Sequence, residues 1–306
     1  MNNKANSIKS AIANFIATHG IPGEMEQNLV KEAIHLHLLS ALSDAGVLRH
    51  VVFQGGTALR LCYGGERYSE DLDFVCGRGG AYVDKIEFER RVQDALETTK
   101  KSLHRDFDIN PSEIALKQPS HPMAIKSDSV SVTAWQIVVP IGSTPKSPKS
   151  RVKIEFANVP SYDSGPNVAK VTQGLVQMQD VILTVESANE ILADKAVALT
   201  AREVMKYRDV WDVWYLVNKV NAQADRGIVG RKFTDYGTSD VEAKAKQRCN
   251  ELAKGSTAKL FLDEMRRFLP AKRVAEMGGT GLHHKILAAS RELIKHAALP
   301  RLVPNI

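Results

Sequence analysis

The spacing of hydrophobic positions changes along the chain, and the changes mark out its elements. Ile8, Ile12, Phe15 and Ile16 recur at helical spacing, and Gly20 with Pro22 supplies a stop. A second helix is predicted over residues 24–45, with Leu29, Ala33, Leu36 and Leu39 on one stripe and Gly46 ending it. The pattern then shortens. Residues 51–54 read as a strand, Gly55-Gly56 as a turn, and residues 57–61 as the start of a short helix. A polar loop over 64–70 leads into a strand at 71–75. Residues 77–80 read as a loop and 84–104 as a long charged helix. Strands are predicted at 113–117 and 131–139, followed by a Pro/Ser-rich connection over 144–150. In the next strand, 151–156, Val152, Ile154 and Phe156 share one face and Lys153 and Glu155 the other.

After residue 186 the period is helical. Ser187 with Glu190 three residues later has the form of a capping box, opening a helix through Lys195 and Leu199. Val210, Val213, Trp214 and Val217 give the next helix its stripe, and further helices are predicted near 240–253, 257–268 and 282–298. No internal repeat is visible. These periods predict an α+β fold: a mixed β-sheet flanked by helices within residues 1–185, then a helical portion over 186–306.

Composition narrows the picture. The 306 residues, 43% of them hydrophobic and 25% charged, suffice for one large or two modest domains with a sizeable core. No run of about eighteen apolar residues is present, so no membrane span is expected. The N-terminal residues lack the hydrophobic stretch of a secretory signal. Cys62, Cys76 and Cys249 are scattered, which excludes a disulfide framework or a cysteine zinc site and suits a reducing cytoplasm. The net charge is +6 and the pI near 9.1. Residues 1–185 hold 20 Lys+Arg and 20 Asp+Glu, whereas 186–306 hold 21 and 15, so the excess lies in the helical portion and points to a polyanionic partner.

The densest chemistry runs from Phe53 to Phe74. Asp71 and Asp73 are two apart in a strand, so both side chains leave the same face. Two carboxylates so placed repel unless a cation lies between them, and hard oxygen ligands suit Mg²⁺. Gly55-Gly56, at a strand-to-helix turn, allows close approach of a ligand, and the helix start that follows favours phosphate. Glu155 is the candidate third acid. Asp71 and Asp73 would bridge two metals and Glu155 would bind the one that activates the attacking hydroxyl, which is the arrangement for nucleotidyl transfer from a nucleoside triphosphate. Each piece alone has an ordinary reading, a solvated strand face or a plain turn; their order along the chain is what favours a catalytic site.

This combination resembles the DNA polymerase β-like nucleotidyltransferase superfamily, whose signature is an apolar residue, a Gly-Gly or Gly-Ser pair, a spacer and Asp-x-Asp/Glu. The closer likeness is to the AbiEii/AbiGii-type nucleotidyltransferase toxins. It is carried further by Arg67-x-Ser69-x-Asp71-Leu72-Asp73-Phe74, by the strand bearing Glu155, and by Leu192-Ala-Asp-Lys195-x-x-Ala198-Leu199-x-x-Arg202 followed by Arg208-Asp209-x-x-Asp212. The resemblance covers about residues 50–220 and implies a polymerase β-like core. It makes Asp71 and Asp73 metal ligands, Lys195 a triphosphate contact, and Asp209 or Asp212 a further active-site carboxylate; Glu155, the candidate third ligand, stands where many relatives carry Asp. Gly55, Gly56 and Thr57 would line the nucleotide; Thr57 stands where many relatives have Ser, which retains the hydroxyl. Arg67 would clamp phosphate or pair with Glu66 or Glu70, and Ser69 would contact phosphate or cap the turn. Arg202 and Arg208 are candidate RNA contacts. The implied cofactor is a pair of Mg²⁺ ions, with Mn²⁺ as a substitute, and the substrate an NTP. The implied acceptor is RNA, a tRNA 3′ end, and the implied partner a cognate antitoxin, in a cytoplasmic system that restricts growth and phage. The alternatives are transfer to a small molecule or a protein, and a nucleic-acid-binding protein with a vestigial site.

Several conspicuous residues are read as structural. Gly64-Gly65 and Gly77-x-Gly79-Gly80 lack a P-loop ending. His35, His37, His283 and His284 lack partners at metal spacing. Trp211 and Trp214 read as core anchors, and Lys146 and Lys149 as members of a solvated loop.

Overall fold

The computed structural model describes residues 7–76, 84–120, 130–141 and 148–299. The chain divides into two compact units: Met1–Pro160 with Gly165–Val185, and Ser161–Ser164 with Glu186–Ile306. The first is built on a mixed sheet of seven strands: β1 (Val52–Gln54), β2 (Leu72–Val75), β3 (Ala115–Lys117), β4 (Val132–Pro140), β5 (Lys149–Ala157), β6 (Ser164–Ala169) and β7 (Val181–Glu186). Their order is β3-β4-β5-β2-β1-β7-β6. β2 runs antiparallel to β1 and parallel to β5, and β4 runs antiparallel to β5 along its whole length.

Aromatic side chains hold the three central strands in register. Phe74 stacks on Phe156 with ring centroids 5.2 Å apart and meets Phe53 at 5.1 Å, while Trp135 and Phe88 meet Phe156 edge-on. A one-residue slip of β2 or β5 would expose these rings and bury the acids between them, so the aromatic face fixes where the carboxylates point.

Helices α1 (Ile8–His19), α2 (Glu26–Asp44), α3 (Gly55–Cys62) and α4 (Lys85–Phe107) complete the first unit. The stop predicted at Gly20 is a left-handed C-cap with φ +62°. α2 differs from the single-stripe helix expected: it is buried on nearly every side, so its polar residues need partners. Glu32 accepts from Arg60 Nε at 2.8 Å and from Thr172 Oγ1 at 2.6 Å. His35 Nε2 lies 3.1 Å from the Glu70 carbonyl oxygen, and His37 Nδ1 lies 3.0 Å from Ser102 Oγ. Burial pushes both imidazoles down to about 4.

The second unit holds α5 (Ala188–Ala201), α6 (Tyr207–Lys219), α7 (Arg226–Asp235), α8 (Val241–Leu252), α9 (Gly255–Met265), α10 (Ala271–Gly279) and α11 (Leu282–Ala298). Ser187 accepts from the Glu190 N–H at 3.1 Å, the first half of the predicted capping box. The Glu190 carboxylate, however, takes the Ser161 hydroxyl at 2.7 Å and the Tyr162 and Asp163 N–H groups at 2.7 and 2.6 Å, anchoring the segment Ser161–Ser164. Lys232 of α7, buried at 1% exposure, places its ammonium 2.9 Å from Glu190, 2.7 Å from Asp194 and 3.3 Å from Glu186. One cation cannot neutralise three acids, two of them fully buried; burial and the adjacent Asp194 charge raise Glu186 well above the usual carboxylate range.

β6, β7, α7 and α10 are not among the predicted elements. β6 contains Gly165 and Pro166, β7 leaves Ile182 exposed, and α7 is interrupted by Gly227 and Gly230. β5 begins at Lys149, inside the expected connection; residues 144–147 of that connection, with Lys146, and the loop over residues 77–80 lie outside the described residues. Val217, placed on the stripe of α6, is 38% exposed at its last turn, while Trp211 and Trp214 are buried.

Candidate active site

The carboxylates are placed by backbone register. Gln54 of β1, Asp73 of β2 and Glu155 of β5 are paired in one row across three strands. Asp71 lies just before β2 begins, where the strand would otherwise leave a neighbouring donor unmatched. Its Oδ1 accepts the Lys153 main-chain N–H at 3.1 Å, so a side chain completes the ladder. Leu72, Phe74, Ile154 and Phe156 point the other way into the core, leaving Asp71, Asp73 and Glu155 partly accessible on the opposite face.

The expected glycine turn is the first turn of α3 itself. Gly55 has φ +78°, a conformation that disfavours side chains, and a Cβ there would lie 2.6 Å from Asp73 Oδ2. A Cβ at Gly56 would fall against the Arg67 guanidinium and 2.8 Å from Ser69 Oγ. Gly55 is therefore required by its backbone conformation, and Gly56 lets α3 start close against Arg67 and Ser69. Arg67 is buried and its Nη1 donates to the Tyr68 carbonyl at 2.9 Å, while Glu70 pairs with Lys31 at 3.0 Å. The Thr57 hydroxyl is buried and donates to the Asp71 carbonyl at 2.5 Å. That hydroxyl ties α3 to the strand entry, a positioning role the sequence did not disclose.

Hard oxygen donors on adjacent strands suit a divalent ion in kind and in register. Among the described residues, no three His, Cys, Asp or Glu side chains converge as a formed metal cluster. Asp71 is turned to the Lys153 N–H, and Glu155 Oε1 lies 3.5 Å from Lys153 Nζ. Lys153 was legible as a neighbour of Glu155 from strand alternation, but nothing in the sequence marked it as a contact of two of the three acids.

The second unit gathers the other candidate residues. Lys195 of α5 is 8% exposed, and its ammonium lies 2.6 Å from Asp209 Oδ1 and 2.8 Å from Asp212 Oδ2. Both acids come from the first turns of α6, at i and i+3, so both face Lys195. Arg202, largely exposed, pairs with the other oxygen of Asp209. Arg208 is half-buried beside the Phe268 ring, and its main-chain N–H donates to Glu264 at 3.1 Å. Of the remaining conspicuous residues, His283 is satisfied by the Met277 carbonyl, and Cys62, Cys76 and Cys249 form no disulfide with one another.

A mixed sheet that pairs an Asp-x-Asp segment with a third acid, behind a glycine-started helix, is the core of a nucleotidyltransferase. The model of the nucleotidyl transferase AbiEii toxin family, of the type IV toxin–antitoxin system, matches residues 37–280, and the chain belongs to that family. It is thus a nucleotidyltransferase toxin, which implies a cognate antitoxin. MenT4, a nucleotidyltransferase toxin from Mycobacterium tuberculosis H37Rv, shares the fold at a TM-score of 0.50 and 16% identity, over 96% of this chain and 94% of its own. JHP933 from Helicobacter pylori superposes with a TM-score of 0.48 and 18% identity, over 89% of this chain and 94% of its own. No curated protein matches by sequence. No helix among the described residues is long and apolar enough to cross a membrane.

Proposed function

We propose that this toxin transfers a nucleoside monophosphate from an NTP to an RNA acceptor, the 3′ end of a tRNA, in a system that restricts phage. The observation that supports this best is the row formed by Asp73 and Glu155 on paired strands, with Asp71 two residues away and Gly55 against Asp73. The nucleotidyltransferase core is assigned to residues 1–185, while residues 186–306 contribute Lys195 and, through basic helices that include Arg202 and Arg208, the acceptor-binding surface.

In this reading the acceptor's ribose hydroxyl attacks the α-phosphorus in line; a P–O bond forms to it as the bond to pyrophosphate breaks. Asp71, Asp73 and Glu155 would hold divalent ions, Mg²⁺ or Mn²⁺, which when bound supply acidity to the attacking hydroxyl and charge to the leaving group. Gly55, Gly56, Arg67 and Ser69 are assigned to phosphate binding; Arg67 and Ser69 lie close against Gly56 at the start of α3. Thr57 positions the strand entry through Asp71. Lys195 is the proposed triphosphate contact, with Asp209 and Asp212 orienting its ammonium.

The test is incubation of the purified protein with total RNA, Mg²⁺ and each of the four α-labelled NTPs. Label is expected in tRNA-sized RNA, and Asp71→Ala is expected to reduce it by about a hundredfold or more. Label in no RNA with any NTP would refute the acceptor assignment, and label in protein or in a small molecule would redirect it to that acceptor class.

A further inference from the structure

Lys153 stands two residues before Glu155 on the same strand face. Its ammonium lies 3.5 Å from Glu155 Oε1, and its main-chain N–H donates to Asp71 Oδ1 at 3.1 Å. It therefore touches two of the three acids, one by its side chain and one by its backbone. The side chains of Lys153 and Glu155 are 50% and 31% exposed, so the pair is solvated and readily exchanged. Three carboxylates on one sheet face repel each other, and a compact ammonium on a flexible stem offsets part of that repulsion. A divalent ion bound through Glu155 would carry the same sign of charge close to the ammonium, so ion and ammonium compete for this carboxylate.

We propose that Lys153 is the resident counter-cation of this face, which a divalent ion must displace from Glu155 in order to bind. The inference rests on the reading of Asp71, Asp73 and Glu155 as metal ligands. Lys153 is then a positioning residue: while no metal is bound it holds Glu155 through its ammonium and Asp71 through its main-chain N–H, and its charge holds down the affinity of this face for metal.

The experiment is titration of the full-length protein with Mn²⁺ alone, without NTP, following free Mn²⁺ by electron paramagnetic resonance. Lys153→Met keeps the stem and removes the charge, and Lys153→Gln is its polar companion. Both are expected to bind Mn²⁺ about two- to fivefold tighter than wild type, the scale of an exposed ion pair. In a Glu155→Gln background the same substitutions should change nothing, because the competition runs through Glu155. Unchanged or weaker binding by the Lys153 variants, with wild-type binding still abolished by Asp71→Ala, would overturn the inference and leave the metal-ligand reading standing. Equal tightening in the Glu155→Gln background would also overturn it. Wild-type protein that binds Mn²⁺ no better than Asp71→Ala would overturn both.

Discussion

Gly55 shows how one residue can set the geometry of the site. Its φ of +78° and the 2.6 Å approach that a Cβ would make to Asp73 Oδ2 are two separate demands on the same position. Gly55→Ala is expected to lose about 1–2 kcal/mol of stability from the backbone conformation alone. It should also push Asp73 aside and so lower nucleotidyl transfer by more than the stability loss explains. Urea denaturation and the labelling assay separate the two effects, and wild-type behaviour in both would show that Asp73 tolerates a side chain there. The sequence marked Gly55 through its place before Asp-x-Asp, but not the neighbour that requires it. Thr57 illustrates the same boundary: its hydroxyl was legible as a candidate phosphate contact, whereas its bond to the Asp71 carbonyl depends on a strand fourteen residues away.

At the scale of elements, alternation along a strand was a dependable guide and helical stripes were less so. The apolar faces of β2 and β5 were readable because Leu72 and Phe74 flank Asp73, and Ile154 and Phe156 flank Glu155, with the apolar residues buried and the acids partly exposed. α2 reads with a single apolar stripe, whereas its polar residues Glu32, His35 and His37 are also buried, against partners from distant segments. This burial has a pH consequence. His37 packs between α2 and α4, beside Ser102 and with Asp106 Oδ2 3.7 Å from its Nε2, and burial lowers it from an ordinary 6.5 to about 4. Between those values the unfolded chain binds a proton that the folded chain refuses, so stability is complete above about 6.5 and falls as pH drops. The loss at His37 should approach 2 kcal/mol by pH 5, on the order of 1.4 kcal/mol for each pKa unit. His37→Gln, which cannot take up that proton, should show a shallower fall in stability between pH 7 and pH 5 by urea denaturation. Parallel curves for the two proteins would assign the acid sensitivity to other groups.

For the molecule as a whole, the charge division becomes a statement about partners. The acids proposed to hold metal lie in residues 1–185, where Lys+Arg and Asp+Glu balance, and the excess of 21 cations over 15 anions lies in residues 186–306. If the basic helices hold the acceptor's phosphates, transfer to RNA should weaken with rising salt more steeply than NTP binding does, because each phosphate contact releases counterions. The KM for RNA and the Kd for NTP, measured across a salt series, provide the comparison; equal slopes would reduce the net charge to a solubility feature. The linear chain already contained the Asp-x-Asp strand, the glycine pair, the third acid and the switch from mixed to helical periodicity, since these depend on near neighbours and on repeat lengths of two and 3.6 residues. The pairing of Asp73 with Glu155, the closing of Asp71 onto Lys153 and the convergence of Asp209 and Asp212 on Lys195 could not be read there. Each brings together residues from separate segments, and their meeting is settled by sheet register and core packing, which no local pattern encodes.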